Sequence, residues 1–433
     1  MTRLLKLMAP FRWWIVAGVL LSFATTGASV GLMAVSAYLI SKAALVTDTA
    51  DLNVIITGVR FFAISRAALR YAERYVTHLA TFRILTRLRV WFYRAIEPLA
   101  PARLMPYRSG DLLTRIVADI ETLENFYLRV VIPPLAAVLV TLLGCLILGS
   151  FDVLLAVALL VFIVLTGVVL PLVTRWLSRQ PASEMIATRA EMNASLVDEV
   201  QGIADLLAYG QEDAYQARAL SLSRQINRVQ ERLAVIRGMG NGLAALFTSL
   251  AALTVLLLAI PLVTGGQIEG VYLALLPLTA IASFEAVQPL AQAMQMLESS
   301  KAAAGRIFEL IDAEPAVIDP VLPLSPPTQG IGIEVNNLKF RYAPDDPPAL
   351  DGVSFSVPPG GRVAIVGSNG SGKSTVVNLL LRFWDYDQGS IRIDGQEARA
   401  YRADDVRELI GVVPQHTHPV SYTHLTLPTS DLV

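Results

Sequence analysis

Apolar residues come in blocks too long for strands or ordinary core helices until about Ala313. Blocks near 13–40, 53–75, 130–149, 153–173, 243–263 and 271–297 each approach the roughly 20 residues that carry a helix across a bilayer. They predict six membrane-spanning helices within a transmembrane domain at 1–312. The block at 53–75 is the least apolar, since it holds Arg60, Arg66, Arg70, Glu73 and Arg74. Between blocks the helical period continues, from Arg83 to Arg94, from Thr188 to Leu207 and from Tyr215 to Arg237. The spans are therefore predicted to run on as long helices outside the membrane. Pro106 and Gly110 interrupt that period, and Asp111 can cap a short helix after them.

Basic residues give the orientation. Arg83, Arg87, Arg89, Arg94, Arg103, Arg108 and Arg115 crowd one long connection, and a second, Arg175–Arg237, is also rich in Arg. The short connections near Asp48, Asp152 and Glu269 hold almost none. The long connections and both termini are thus expected in the cytosol. The first block, with Arg3, Lys6 and Arg12 before it, exceeds the 7–15 residues of a signal-peptide core and reads as a span. Trp13 and Trp14 would anchor it at the interface.

The pattern changes at 313–330, a Pro-rich stretch that reads as an extended linker. Residues 331–418 have the mixed pattern of a soluble α/β domain. Composition agrees: the 433 residues are 54% hydrophobic and 16% charged, where soluble domains carry about 25% charge. A net charge of −1 gives no field for nucleic acid. Cys145 is the single cysteine, so no disulfide framework exists.

Chemistry enters at Gly367, Ser368, Asn369, Gly370, Ser371, Gly372, Lys373 and Ser374, a complete G-x-x-x-x-G-K-[ST] loop followed by Thr375. The apolar run Arg362–Val366 before it predicts a strand, and the periodic run after it a helix. Glycines let backbone N–H groups close on phosphate oxygens. Lys373 would supply charge to the β/γ-phosphates of ATP, and Ser374 an oxygen to Mg²⁺. Within the membrane, residues 66, 70 and 74 share a helix face, and Glu285 is a lone acid in an apolar span. Charges at that depth face a cavity or a partner. Arg60, Arg66, Arg70 and Glu285 are therefore the candidate substrate path, with Glu285 expected to pair with Arg66 or Arg70. The alternative for Arg70 and Arg74 is that they snorkel to the headgroups.

Six spans with long cytosolic helices and then a phosphate loop resemble a half-transporter of the ABC exporter superfamily. The implied fold is a six-span α-helical transmembrane domain followed by an incomplete α/β nucleotide-binding domain. The stretch Arg108–Asp119 resembles the first intracellular loop of that superfamily, which implies coupling roles for Tyr107, Arg108, Gly110 and Asp111; a second coupling segment is expected near Asp213. The resemblance further implies that Tyr342 stacks on adenine and that Gln415 touches Mg²⁺ beside Ser374. The segments Arg70–Arg83, Pro98–Asp111 and Phe284–Pro289 resemble the CydC family more narrowly. That family pairs with a CydD-type half-transporter in the bacterial inner membrane, and it is associated with export of cysteine and glutathione and with assembly of cytochrome bd oxidase. It makes His78 a candidate axial ligand for haem; an interfacial, hydrogen-bonding histidine is the alternative.

The pattern also departs from the superfamily. The signature Leu-Ser-Gly-Gly-Gln, an apolar strand ending in Asp-Glu and a switch histidine do not occur. Residues 419–433 are expected to be a non-native tail, and this polypeptide alone to be inactive as an ATPase. Asp385, Asp387 and Asp394 come too early to replace the acid. Two rivals stay open: a homodimeric lipid or drug exporter, and a non-catalytic membrane protein that binds ATP and haem for assembly or sensing.

Overall fold

The computed structural model describes residues 3, 9–46, 49–105, 107, 109–328 and 330–413. It divides into two compact units. The first comprises Met1–Val90 and Leu113–Phe308, and the second Trp91–Leu112 and Glu309–Val433.

The described elements of the first unit are helices. Its long elements are α1 (Arg12–Ala43), α2 (Asn53–Ile96), α3 (Gly110–Gly149), α4 (Val153–Gln201) and, after the short α5 (Ile203–Ala208), α6 (Glu212–Thr264). The last membrane segment is split into α7 (Tyr272–Ser283) and α8 (Pro289–Ile311). Among the described residues, five helical stretches are long and apolar enough to cross a membrane: Ala9–Ala43, Gly110–Gly149, Val153–Gln201, Glu212–Thr264 and Tyr272–Ile311. At 44 residues α2 is long enough, but its arginines and glutamate keep it off that list. The expected continuation of spans into long helices is seen in α2, α4 and α6.

Helices within lipid gain little from hydrophobicity, so close backbone approach matters more. A Cβ on Gly31 would lie 2.6 Å from Phe62, bringing α1 against α2. One on Gly144 would lie 2.8 Å from Ser283 Oγ, and one on Gly167 2.6 Å from Val287. Leu148, Leu155, Leu159, Val255, Leu276 and Phe284 fill the core around these contacts. Among the described residues, three π-helical turns interrupt the α-pattern, at Arg115–Asp119, Phe126–Val131 and Leu165–Val169. The split between α7 and α8 has a local cause. Pro289 has no N–H to give the Glu285 carbonyl, and its ring crowds that carbonyl. The chain passes through a 3₁₀ turn at Phe284–Ala286 instead.

The second unit holds β1 (Ile333–Phe340), β2 (Leu350–Val357), α9 (Lys373–Leu380), β3 (Gln388–Ile393), β4 (Gln396–Glu397) and α10 (Ala403–Glu408). The sheet is antiparallel in the order β2-β1-β3-β4, with Ile333 opposite both Val357 and Ile393. Leu338, Ile391, Val376, Leu379 and Val406 build its core. The strand expected at Arg362–Val366 is not in this sheet. The segment has no regular secondary structure, and Val366 is 88% exposed. A strand exists through its ladder, and no described strand offers this segment one.

The Pro-rich stretch 313–330 belongs to the second unit and packs on it. Asp319 Oδ1 accepts from Ala403 N at 2.8 Å, and Leu324 N donates to Ala400 O at 2.9 Å. Arg382, buried at the end of α9, donates to Tyr401 O and to Ile318 O. Burial lowers the Arg382 pKa, while Asp385 and Asp319 oppose the shift.

Candidate functional site

The phosphate-type loop opens α9 as the sequence predicts. Gly372 caps the helix with φ +87°, a left-handed conformation that suits glycine. A Cβ there would lie 2.5 Å from Ala349 O, and one on Gly367 would lie 2.5 Å from Ser371 Oγ. Two of the glycines thus hold a cradle that any side chain would fill. Lys373 Nζ donates to Gly367 O at 2.9 Å and to Ser368 O at 2.7 Å, which holds the ammonium over the loop. Asn369, Gly370 and Ser374 are exposed along the same turn. Glycines at positive φ, a helix start and the Lys373 ammonium held against the loop fit a polyphosphate.

Tyr342 sits just past the end of β1, not within a strand. Its hydroxyl is 3.1 Å from Thr375 Oγ1, directly behind the loop. Phe340 and Trp384 meet its ring edge-on, at centroid distances of 4.9 and 5.4 Å. A cavity of about 1050 Å³ lies beside it, lined in part by Arg341, Trp384, Asp387 and Arg103. The early acids have structural partners: Asp387 Oδ2 accepts from Arg341 N at 3.0 Å, and Asp385 lies 3.5 Å from Arg399 Nε. Gln415 and Arg108 lie outside the described residues.

The intracellular segment Trp91–Leu112 belongs to the second unit, together with Gly110, Asp111 and Tyr107. Arg103 Nε donates to Glu314 O at 2.9 Å. A cavity of about 410 Å³ is shared by Glu97, Leu99, Phe383, Asp404 and Arg407, among others. Residues 97–103 therefore pack on the rest of this unit, in addition to the coupling expected of Tyr107–Asp111 and of the segment near Asp213. Near Asp213, the short α5 leaves Ile203 and Leu207 exposed.

In the membrane unit, Arg70 Nη2 meets Glu285 Oε1 at 3.1 Å, with both side chains partly exposed. The pairing expected of Glu285 is formed with Arg70. Both line a cavity of about 320 Å³ with Glu73 and Arg74, two residues left out of the expected path. Arg60 and Arg66 do not line it. Nothing in the sequence pointed to the ion pair of Arg306 with Asp119: Arg306 Nε and Nη2 donate to Asp119 at 2.9 and 2.5 Å, while Arg115 Nη1 donates to Arg306 O at 3.0 Å. Its partners are far apart in the chain, and each looks like an ordinary helix charge.

His78 is exposed on α2 and lines neither this cavity nor the one of about 700 Å³ between α4, α6 and α8. Among the described residues, no cluster of three or more His, Cys, Asp or Glu could hold a metal ion.

Comparison with known proteins follows the same division. Residues 15–282 match the family described as ABC transporter transmembrane region, and residues 350–427 the one described as ABC transporter. The Glutathione/L-cysteine transport system ATP-binding/permease protein CydC of Escherichia coli K12 is 33% identical over 423 residues, covering 97% of this chain and 74% of that protein. Its counterpart in Haemophilus influenzae is 31% identical, over 94% of this chain and 71% of that protein. A bacterial Atm1-family ABC exporter solved with ATP bound superposes with a TM-score of 0.75 at 20% identity, covering 94% of this chain and 72% of that one, and so shares the fold. The ATPase domain implies use of ATP with Mg²⁺. The chain belongs to the ABC transporter family, as a CydC-like half-transporter of an ATP-driven exporter.

Proposed function

We propose that this chain is the CydC-type subunit of a heterodimeric exporter that moves cysteine or glutathione out of the cytosol. The observation that carries the reading is the likeness to CydC proteins, which runs through both units. A CydD-type half-transporter is the partner. The membrane is the bacterial inner membrane, α2 is the second of six spans, and both termini face the cytosol. The charges of α2 are compatible with a span: Arg70 is paired with Glu285 and borders a cavity.

At the nucleotide site, Gly367–Gly372 surround the phosphates of ATP and Lys373 exchanges its loop carbonyls for phosphate oxygens. Ser374 and Gln415 are the Mg²⁺ contacts, and Tyr342 carries the adenine. ATP and Mg²⁺ supply the phosphoanhydride and neutralise the charge that develops as it breaks. Motion passes between the domains through residues 97–111, and the exposed apolar face of α5 meets a nucleotide domain. Haem has no part in this reading.

The test is transport. The chain is co-purified with a CydD-type partner and placed in inverted vesicles, and ATP-dependent uptake of labelled L-cysteine and glutathione is followed. Uptake of either, abolished without ATP, is expected. Uptake of neither, with movement of a fluorescent lipid instead, overturns the reading in favour of a lipid exporter.

A further inference from the structure

The membrane unit contains irregular backbone where a continuous helix is the rule. Within the apolar stretch Tyr272–Ile311, the helix stops at Ser283 and resumes at Pro289. Backbone breaks at membrane depth persist only where they are buried in protein or line a cavity. Transporters use such breaks to bring polar groups to a ligand. Glu285 sits in this one, and it borders the cavity of about 320 Å³.

The charges around that cavity are balanced. Arg70 and Arg74 face it from α2, as does Glu73, and Glu285 faces it from the break. Ser22 and Thr26 of α1 add hydroxyls. Two cations and two anions leave no net charge to attract a simple anion or cation. Arg70 and Glu285 contact each other at 3.1 Å, yet their side chains stay 42% and 43% exposed. Each therefore has donor or acceptor capacity left for a ligand. The volume lies at the small end of the roughly 300–1,000 Å³ of small-molecule sites.

We propose that this cavity is a recognition site for a small zwitterion, a free amino acid or short peptide with an α-ammonium and a carboxylate. The carboxylate takes the guanidinium of Arg70 or Arg74, and the ammonium takes Glu285 or Glu73. The thiol is not what this site reads, because the groups facing the ligand complement the charged end common to all amino acids. The inference rests on the exporter reading above and names the part of its substrate that is recognised.

The vesicle assay with the complete two-subunit exporter separates the two claims. Labelled L-cysteine is competed by unlabelled L-serine, cysteamine and N-acetyl-L-cysteine. Serine, with both charges and no thiol, should compete within about threefold of cysteine. Cysteamine lacks the carboxylate and N-acetylcysteine the ammonium, and both should be at least tenfold weaker. Glu285→Gln and Arg70→Gln should each raise KM for cysteine at least tenfold. The swap Arg70→Glu with Glu285→Arg keeps an ion pair but reverses its polarity; it should not restore KM. Restoration by the swap would make the pair structural and overturn the proposal, as would equal competition by cysteamine. If the wild-type complex moves no amino acid or peptide at all, it is the exporter reading that fails.

Discussion

Replacing Arg306 by alanine should destabilise the membrane unit far more than replacing its partner. Asp119 receives two charge-assisted hydrogen bonds from Arg306, at 2.9 and 2.5 Å. The Asp119 side chain is only 5% exposed, whereas that of Arg306 is 47% exposed. Arg306→Ala strips a buried carboxylate of both bonds. Removing one partner of a buried pair costs about 3–5 kcal/mol, and the solvent on the Arg306 side argues for the lower end, near 3. Asp119→Ala leaves a guanidinium that already reaches water, so its loss resembles that of a surface pair, about 1 kcal/mol. Arg115 Nη1 bonds the backbone carbonyl of Arg306, which alanine retains. The double variant Arg306→Met with Asp119→Leu should fall near the wild type, because it leaves no charge behind. Thermal unfolding of the detergent-solubilised chain, followed by circular dichroism, measures all three. A loss for Asp119→Ala equal to or larger than that for Arg306→Ala would refute the argument that burial of the carboxylate sets the cost.

Two further outcomes follow from the second unit. Gly372→Ala and Gly370→Ala both place a side chain at positive φ, costing about 1–2 kcal/mol each. Only the first also drives a Cβ to 2.5 Å from Ala349 O, whereas nothing lies within 4 Å at Gly370. Titration with a fluorescent ATP analogue should show binding abolished for Gly372→Ala and weakened for Gly370→Ala; equal effects would contradict the cradle geometry. Burial, and then the hydrogen bond with Glu397, push the Tyr386 hydroxyl up to about 12 from its ordinary 10. The folded state holds this proton more tightly, so the contribution is whole below pH 10 and disappears as pH rises to 12. Tyr386→Phe should remove one late-titrating phenol from the absorbance titration and flatten the stability loss across that window.

Much of the architecture was legible because the bilayer imposes length and apolarity on each span. The nucleotide loop was legible because phosphate binding demands glycine at set positions, and Gly367 and Gly372 meet that demand. The Arg70–Glu285 contact was legible as chemistry: a lone acid in an apolar span needs a cation, and few were near. Other features depend on partners that periodicity does not reveal. The run Arg362–Val366 has every local trait of a strand, yet pairing is a property of two segments. Asp319 and Ile318 tie the proline-rich stretch to Arg382, just past α9, though prolines alone read as an extended linker. Asp119 and Arg306 are separated by most of the unit's length, and only folding makes them neighbours.

The position of Lys373 bears on how its variants are interpreted. Its ammonium closes the turn on itself through Gly367 O and Ser368 O, so the residue is a structural brace as well as a charge. An anion arriving at the loop exchanges one set of oxygens for another, and no bare ammonium has to be stripped of water. Substituting Lys373 by methionine therefore releases the turn at the same time as it discharges it. Weak binding by such a variant would combine a missing contact with a less ordered receptor.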